Sequence, residues 1–159
     1  MASQEKILKS KALIRFQDCD PYQHLNNASY INYFINARED QVLKHYGLDI
    51  YKTAREKGVS WIVGQNQIAY FRPALVMEEV VIESQLIKYG DKSLAVEMRM
   101  YNQSQSELKA VLWVTFIHFN LKTSSSQSHS AEFSDLFQNI VLPVAEDIFE
   151  NRVMALRKK

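Results

Sequence analysis

Apolar and polar positions change period several times along this chain, and each change marks an element. From Leu13 to Phe16 the pattern suits a short strand that ends near Asp20, because Pro21 has no N–H with which to continue a ladder. Tyr30, Tyr33, Phe34 and Ala37 then recur at helical spacing, with Ile31, Ile35 and Val42 in a second row beside them. A helix apolar on two rows is wrapped by other structure. Asn26 and Asn27 are good N-cap types at its start, and Gly47 suits its C-cap. A short amphipathic piece from Asp49 to Lys57 leads into a β-type stretch from Val59 to Arg72, which Pro73 ends.

Two further strands, Val80 to Tyr89 and Leu94 to Tyr101, are joined by Gly90-Asp91, a pair that suits a hairpin. In the second, Leu94, Val96, Met98 and Met100 alternate with Glu97 and Arg99, the mark of one buried and one wet face. Asn102 to Ser106 reads as a polar turn. Ala110 to Phe119 is a nearly continuous apolar run, as in a central strand covered on both sides. The pattern predicts an α+β domain in which one strand, a long helix and a four-strand antiparallel meander wrap the sheet around the helix. Thr123 to Ser130 is Ser-rich and without periodicity, so it reads as a flexible loop. Phe133, Leu136, Phe137 and Ile140 return to helical spacing, followed by Val144, Ile148 and Phe149; Pro143 between them either kinks one helix or starts a second.

Composition narrows the functions. With 159 residues, 47% of them hydrophobic and 11% aromatic, the chain suits one domain with a sizeable core. A net charge of +1 argues against a duplex-binding surface, and Arg157-Lys158-Lys159 is most simply a solvated tail. No apolar run is long enough to span a bilayer, and MASQEKILKSK lacks an apolar signal core, so the expected location is the cytoplasm. One cysteine excludes an internal disulfide. His24, His45, His118 and His129 are scattered, so no metal site is expected, and His118 on its apolar strand reads as a satisfied core histidine.

The candidate chemistry lies in RFQDCDPYQHLNNASY, Arg15 to Tyr30, where a strand runs into two carboxylates, a histidine and two asparagines just ahead of a helix. Asp, Pro, Asn and Gln are ordinary turn and cap residues, so one reading is a chain reversal and nothing more. The other is acyl transfer. The free amides of a helix's first turn form a partial positive pole that favours a developing oxyanion, and Asp20 and His24 beside it supply a carboxylate and an acid or base. Cys19 reads as a buried small residue, since nothing nearby lowers its pKa.

This segment resembles the first strand, active-site loop and central helix of the hotdog-fold thioesterases, in particular their 4-hydroxybenzoyl-CoA thioesterase-like branch. That family's pattern runs Arg-x-x-Asp-x-Asp, Gly-His-x-Asn-Asn-x-x-Tyr, Tyr-Phe, and here Arg15, Asp18, Asp20, His24, Asn26, Asn27, Tyr30, Tyr33 and Phe34 stand in those places. The resemblance implies a hotdog fold over roughly Ile7 to Leu121. It also implies a thioester hydrolase in which Asp20 is nucleophile or general base. The backbone N–H of Asn27 polarises the carbonyl, and His24 hydrogen-bonds the carboxylate or assists proton transfer. Gln23 stands where many relatives have Gly, and the Gln-His-x-Asn-Asn string is also similar to plant acyl-ACP thioesterases; their catalytic Asn, two places after the matching Asp, is Tyr22 here. A catalytic Glu on the central helix, used by another branch, has no match: the first two turns hold Ile31, Asn32, Ile35 and Asn36.

Asn26, Tyr30, Gln65, Gln67 and Arg72 are the candidate substrate-binding residues, with Lys88 and Lys92 as further cations for CoA phosphates. Trp61, Tyr70 and Phe71 suit either an acyl pocket or the core. Residues 1–122 form the expected thioesterase domain, and residues 123–159 a Ser-rich loop and helical extension packed on it. The resemblance implies a homodimer or homotetramer acting on acyl-CoA or acyl-ACP, with coenzyme A as part of the substrate and no separate cofactor. A non-catalytic acyl-CoA binder and a dehydratase-type hydro-lyase are the competing readings; the hydro-lyase pattern of His and acid is not found.

Overall fold

A helix of 17 residues, α1 (Tyr30–Tyr46), lies on one face of a curled antiparallel sheet and sets the position of every other element. The computed structural model describes residues 4–159, so the part of the N-terminal reading that falls on residues 1–3 lies outside the described residues. The strands are β1 (Leu8–Leu13), β2 (Val59–Tyr70), β3 (Glu79–Tyr89), β4 (Ser93–Asn102), β5 (Leu108–Asn120) and the short β6 (Ser125–Ser126). Their order is β1-β3-β4-β5-β2, with β6 on β5, and every pair is antiparallel. This is the expected α+β hotdog arrangement.

The helix forms where its apolar rows predict. Asn26 caps a single 3-10 turn, Asn27–Ser29, its Oδ1 accepting from Ala28 N at 3.1 Å, and that turn runs directly into α1. Gly47 ends the helix at φ +66°, a left-handed conformation in which glycine carries no Cβ penalty. Tyr30, Phe34 and Ala37 of α1 pack on Val80, Ile82, Met98, Met100, Ala110, Leu112 and Val114 of the sheet, all buried. Each large apolar side chain so buried contributes about 1.5–3 kcal/mol. Helix α2 (Ile50–Lys57), capped by Asp49, leads into β2. Helix α3 (Ala131–Ile140), capped by Ser130, adds Phe133, Phe137 and Ile140 to the same core.

The outer face of the sheet is covered as well, by residues 141–148 and by α4 (Phe149–Arg157). Phe149 packs edge-on against Trp113, with ring centroids 5.4 Å apart. Glu97, expected on a wet face, is fully buried, and Arg99 nearly so. Arg152 of α4 donates to both Glu97 carboxylate oxygens at 2.8 Å, Trp113 Nε1 donates to Glu97 at 2.7 Å, and Arg99 bridges Glu97 and Glu83. Polar residues alternate along β4 because their partners come from a helix some fifty residues later, not from water.

Several other expectations are corrected. The first strand is Leu8–Leu13, held by its ladder to β3, while Phe16–Asp18 is a 3-10 turn with the Phe16 ring in solvent. The meander has three strands, β3-β4-β5; β2 pairs with β5, and residues 71–78 carry the chain from one side of the sheet towards the other. The Ser-rich segment is pinned, not free: β6 pairs with Phe119 and Asn120, Gln127 N donates to His118 O, and His129 N donates to Asp91 O. Pro143 lies in the segment between α3 and α4, where it neither kinks a helix nor starts one. His118 is buried but half satisfied: Nδ1 pairs with Gln127 O at 2.9 Å, and Nε2 has no partner among the described residues. Its neighbour His129 accepts from Trp61 Nε1 at 3.0 Å and pairs through Nδ1 with Gly90 O, which fixes a neutral ring. Burial pulls the His129 pKa down.

Candidate active site

The loop between β1 and α1 is a tight reversal built on Asp20. Its backbone N–H donates to His24 O at 2.8 Å, and Gln23 N donates to Asp20 O at 2.9 Å. The carboxylate reinforces the turn, since Oδ1 accepts from Tyr22 N at 2.9 Å and from His24 N at 3.1 Å. Oδ2 makes no hydrogen bond among the described residues. The turn places Gln23 at φ +65°, a region that favours glycine, and this accounts for the Gly that the family pattern carries there. Residues 71–78 hold the loop from the other side: Leu25 N donates to Ala74 O, Val76 N to Gln23 O and Met77 N to Ile14 O.

Between this loop and residues 70–73 lies an open cleft of about 220 Å³, lined among others by Asp20, His24, Asn27, Tyr70, Phe71 and Arg72. Tyr70 donates its hydroxyl to Asn27 O at 2.8 Å, fixing the first residue of the helical run. The Asn27 N–H has no partner among the described residues. It sits where the axial dipoles of the 3-10 turn and α1 converge, at a positive pole. The residues that carry the carboxylate and the free amide thus line one cleft, a pairing suited to thioester chemistry: one group to attack or activate water, the other to hold the carbonyl oxygen.

The other candidates fall in varied places. His24 lines the cleft, but its imidazole makes no hydrogen bond among the described residues; its backbone N–H donates to the Asp20 carboxylate. Asn26 spends its side chain on the cap. Tyr30 also lines the cleft although it is almost fully buried: its hydroxyl accepts from Ala74 N at 3.1 Å, and its ring meets Tyr70 edge-on with centroids 5.0 Å apart. Gln65 and Gln67 lie on β2 away from the cleft, at the edge of the sheet, where Gln65 is exposed and Gln67 half-buried. Arg72 borders the cleft with its Nε 2.8 Å from Glu107 Oε1.

Asp18, the first carboxylate of the Asp-x-Asp pair, is structural: it accepts from the Tyr33 hydroxyl at 2.6 Å. Cys19 is half-buried, its Sγ donating to Arg15 O, and burial together with Asp18 and Asp20 pushes its thiol pKa up, against a nucleophilic role. Two residues near the site escape sequence reasoning. Glu107 engages Arg72, and Arg157, expected in a solvated tail, stacks its guanidinium 4.5 Å above the Phe71 ring. Neither carries a local signal, since only the fold brings them to residues 71–72.

The sequence profile of the family described as the thioesterase-like superfamily matches residues 14–142. The chain is 25% identical over 134 residues to the long-chain acyl-CoA thioesterase FadM of Escherichia coli, covering 84% of this chain and 99% of that protein. In three dimensions it is similar to YbaW, a probable thioesterase of Escherichia coli (TM-score 0.72, 24% identity, 85% of this chain and 99% of that one). It is also similar to a Staphylococcus aureus protein solved in complex with CoA (TM-score 0.76, 14% identity, 92% of this chain and 94% of that one). The matched residues run from the last buried position before the Asp20 turn, through helix, sheet and cleft, to the end of α3, and the chain therefore belongs to the thioesterase-like superfamily.

Proposed function

We propose that this chain is an acyl-CoA thioesterase, cleaving a thioester with water to a carboxylic acid and free CoA. The observation that carries the reading is the shared cleft of Asp20, with one carboxylate oxygen unengaged, and Asn27, with its N–H unengaged at a helix start. The Asn27 amide polarises the thioester carbonyl. Asp20 then either attacks the carbonyl carbon, expelling thiolate and leaving a mixed acyl-aspartyl anhydride for water to hydrolyse, or removes a proton from the attacking water. His24 stands at the cleft to move a proton, and Arg72 to receive an anionic part of the carrier. FadM, by name a long-chain acyl-CoA thioesterase, and the CoA complex of the Staphylococcus aureus protein support CoA as that carrier. Acyl carrier protein is the competing one, and matched rates on the two esters decide between them.

The chemistry is assigned to a unit of residues 1–122, with residues 123–159 as its extension, acting in the cytoplasm as a homo-oligomer. No helix among the described residues is long and apolar enough to cross a membrane. The oligomer is built by pairing β2 edges, because β1, the other edge of the sheet, carries Lys9 and Lys11 while β2 has no charged residue from end to end. Free-thiol release from short, long and aromatic acyl-CoAs tests the reading. Asp20→Asn is expected to lower kcat by about a hundredfold or more at unchanged fold. Full turnover in that variant would remove Asp20 from the chemistry, and no turnover by the native protein on any ester would leave a non-catalytic binder.

A further inference from the structure

A second cavity, of about 210 Å³, lies between the C-terminal half of α1, the inner face of the sheet and α3. Its walls are largely apolar, with Val42, Leu94, Val96, Phe116, Leu136 and Phe137 among them. Two charged residues also line it, the half-buried Glu39 and Arg38, and it is Arg38 that breaks the pattern by being buried. That side chain belongs to a residue only 9% exposed, it forms no ion pair among the described residues, and its single hydrogen bond runs from Nη1 to Ser84 Oγ at 2.9 Å. Burial lowers the Arg38 pKa to about 10, with the Tyr46 hydroxyl working the other way, so the group is still a cation at neutral pH.

No carboxylate pairs with the Arg38 guanidinium among the described residues. Ser84 Oγ donates onward to Gln41, and Gln41 Nε2 donates to Ile82 O at 3.0 Å and Ser10 Oγ at 2.8 Å, a neutral and fully committed set. Glu39, on the cavity wall, is engaged elsewhere: its carboxylate accepts from the Tyr51 hydroxyl at 3.1 and 3.2 Å. A buried cation without an anion is costly, and Arg38 carries that cost at the wall of a largely apolar cavity.

We propose that this cavity is a binding site for a medium-chain fatty acid, whose carboxylate pairs with Arg38 and whose unbranched chain lies along Val42, Val96 and Leu136. At about 30 Å³ for each non-hydrogen atom, the share a water takes in the liquid, the volume holds about seven, enough for the alkyl tail of octanoate with its carboxylate on the Arg38 wall. The site needs no thioester and stands on the cavity and Arg38 alone. Hydrolysis at Asp20 releases an acid of this class, so a filled cavity would hold product on the enzyme; only that link rests on the proposed function.

Titration calorimetry of the full chain with octanoate and with 1-octanol tests the assignment. Octanoate is expected to bind saturably at one site per chain and more tightly than the alcohol. Arg38→Met is expected to weaken octanoate by about tenfold or more, the scale of one charge-assisted pair, while leaving octanol unchanged. Leu136→Trp, which fills the cavity from α3 and keeps Arg38, is expected to abolish both. Absence of saturable octanoate binding, equal octanoate affinity in Arg38→Met, or octanoate retained in Leu136→Trp would each overturn the site. Thiol release and octanoate binding are separate readouts: loss of the first alone sinks the hydrolysis, and loss of the second alone sinks this cavity.

Discussion

Gln23 holds its backbone at φ +65° because Asp20 and His24 close the chain on either side of it. A side chain at that angle is strained, and β-branching makes the strain worse. Gln23→Gly is expected to be at least as stable as the native chain in urea unfolding, and Gln23→Val to lose about 1–2 kcal/mol. Arg38 poses the opposite problem, a charge without a partner. In the absence of ligand, Arg38→Met is expected to gain about 1–2 kcal/mol by the same measurement. At this scale the Asp20 turn and the Asn26 cap were legible in the sequence, because turn and cap chemistry is local. The state of Arg38 was not, because nothing within reach along the chain says whether a helical arginine faces water or a cavity.

Among the elements, α4 fastens itself to the sheet through charge as much as through Phe149. Burial alone would raise the Glu97 carboxyl, but hydrogen bonds from Arg152, the charge of Arg99 and the bond from Trp113 outweigh it and hold Glu97 below its ordinary pKa. A carboxyl depressed in the folded state contributes stability above its unfolded pKa and loses it as pH falls through the folded value. The native chain should therefore lose stability on acidification below about pH 4.5, and Glu97→Gln should lose less over that interval, read as the slope of unfolding free energy against pH. Arg152→Met is expected to cost about 1–3 kcal/mol, because Glu97 stays buried with Arg99 as its remaining cation. The alternation along β4 was correctly read as two faces. The face expected to be wet is covered, and an ionic network and a solvated row look alike in sequence until the covering helix is known.

For the whole molecule, the arrangement of edges underlies the proposed pairing of copies. Consecutive strands usually lie side by side, yet β2 and β3 stand apart because residues 71–78 cross between them, and no periodicity encodes that crossing. The outcome is an uncharged β2 edge on which Ile62 and Val63 are 42% and 47% exposed. Sedimentation is expected to give an even-numbered oligomer, and the double variant Ile62→Lys, Val63→Lys to give a monomer with thiol release lost. A monomer of full activity would show that each cleft is complete in one chain.

The chain has two tryptophans, and each indole N–H is tied to an acceptor that titrates: Trp61 to His129, Trp113 to Glu97. The protein thus contains its own pair of indicator dyes, one at the α3 end of the core and one under α4. Acid should change the Trp61 emission first, at a pH below the ordinary histidine value near 6.5, because burial disfavours the imidazolium and protonation removes the acceptor. Trp113 should stay unchanged until the pH passes below the ordinary carboxylate range, so the order in which the two emissions move tells which wall of the molecule loosens first.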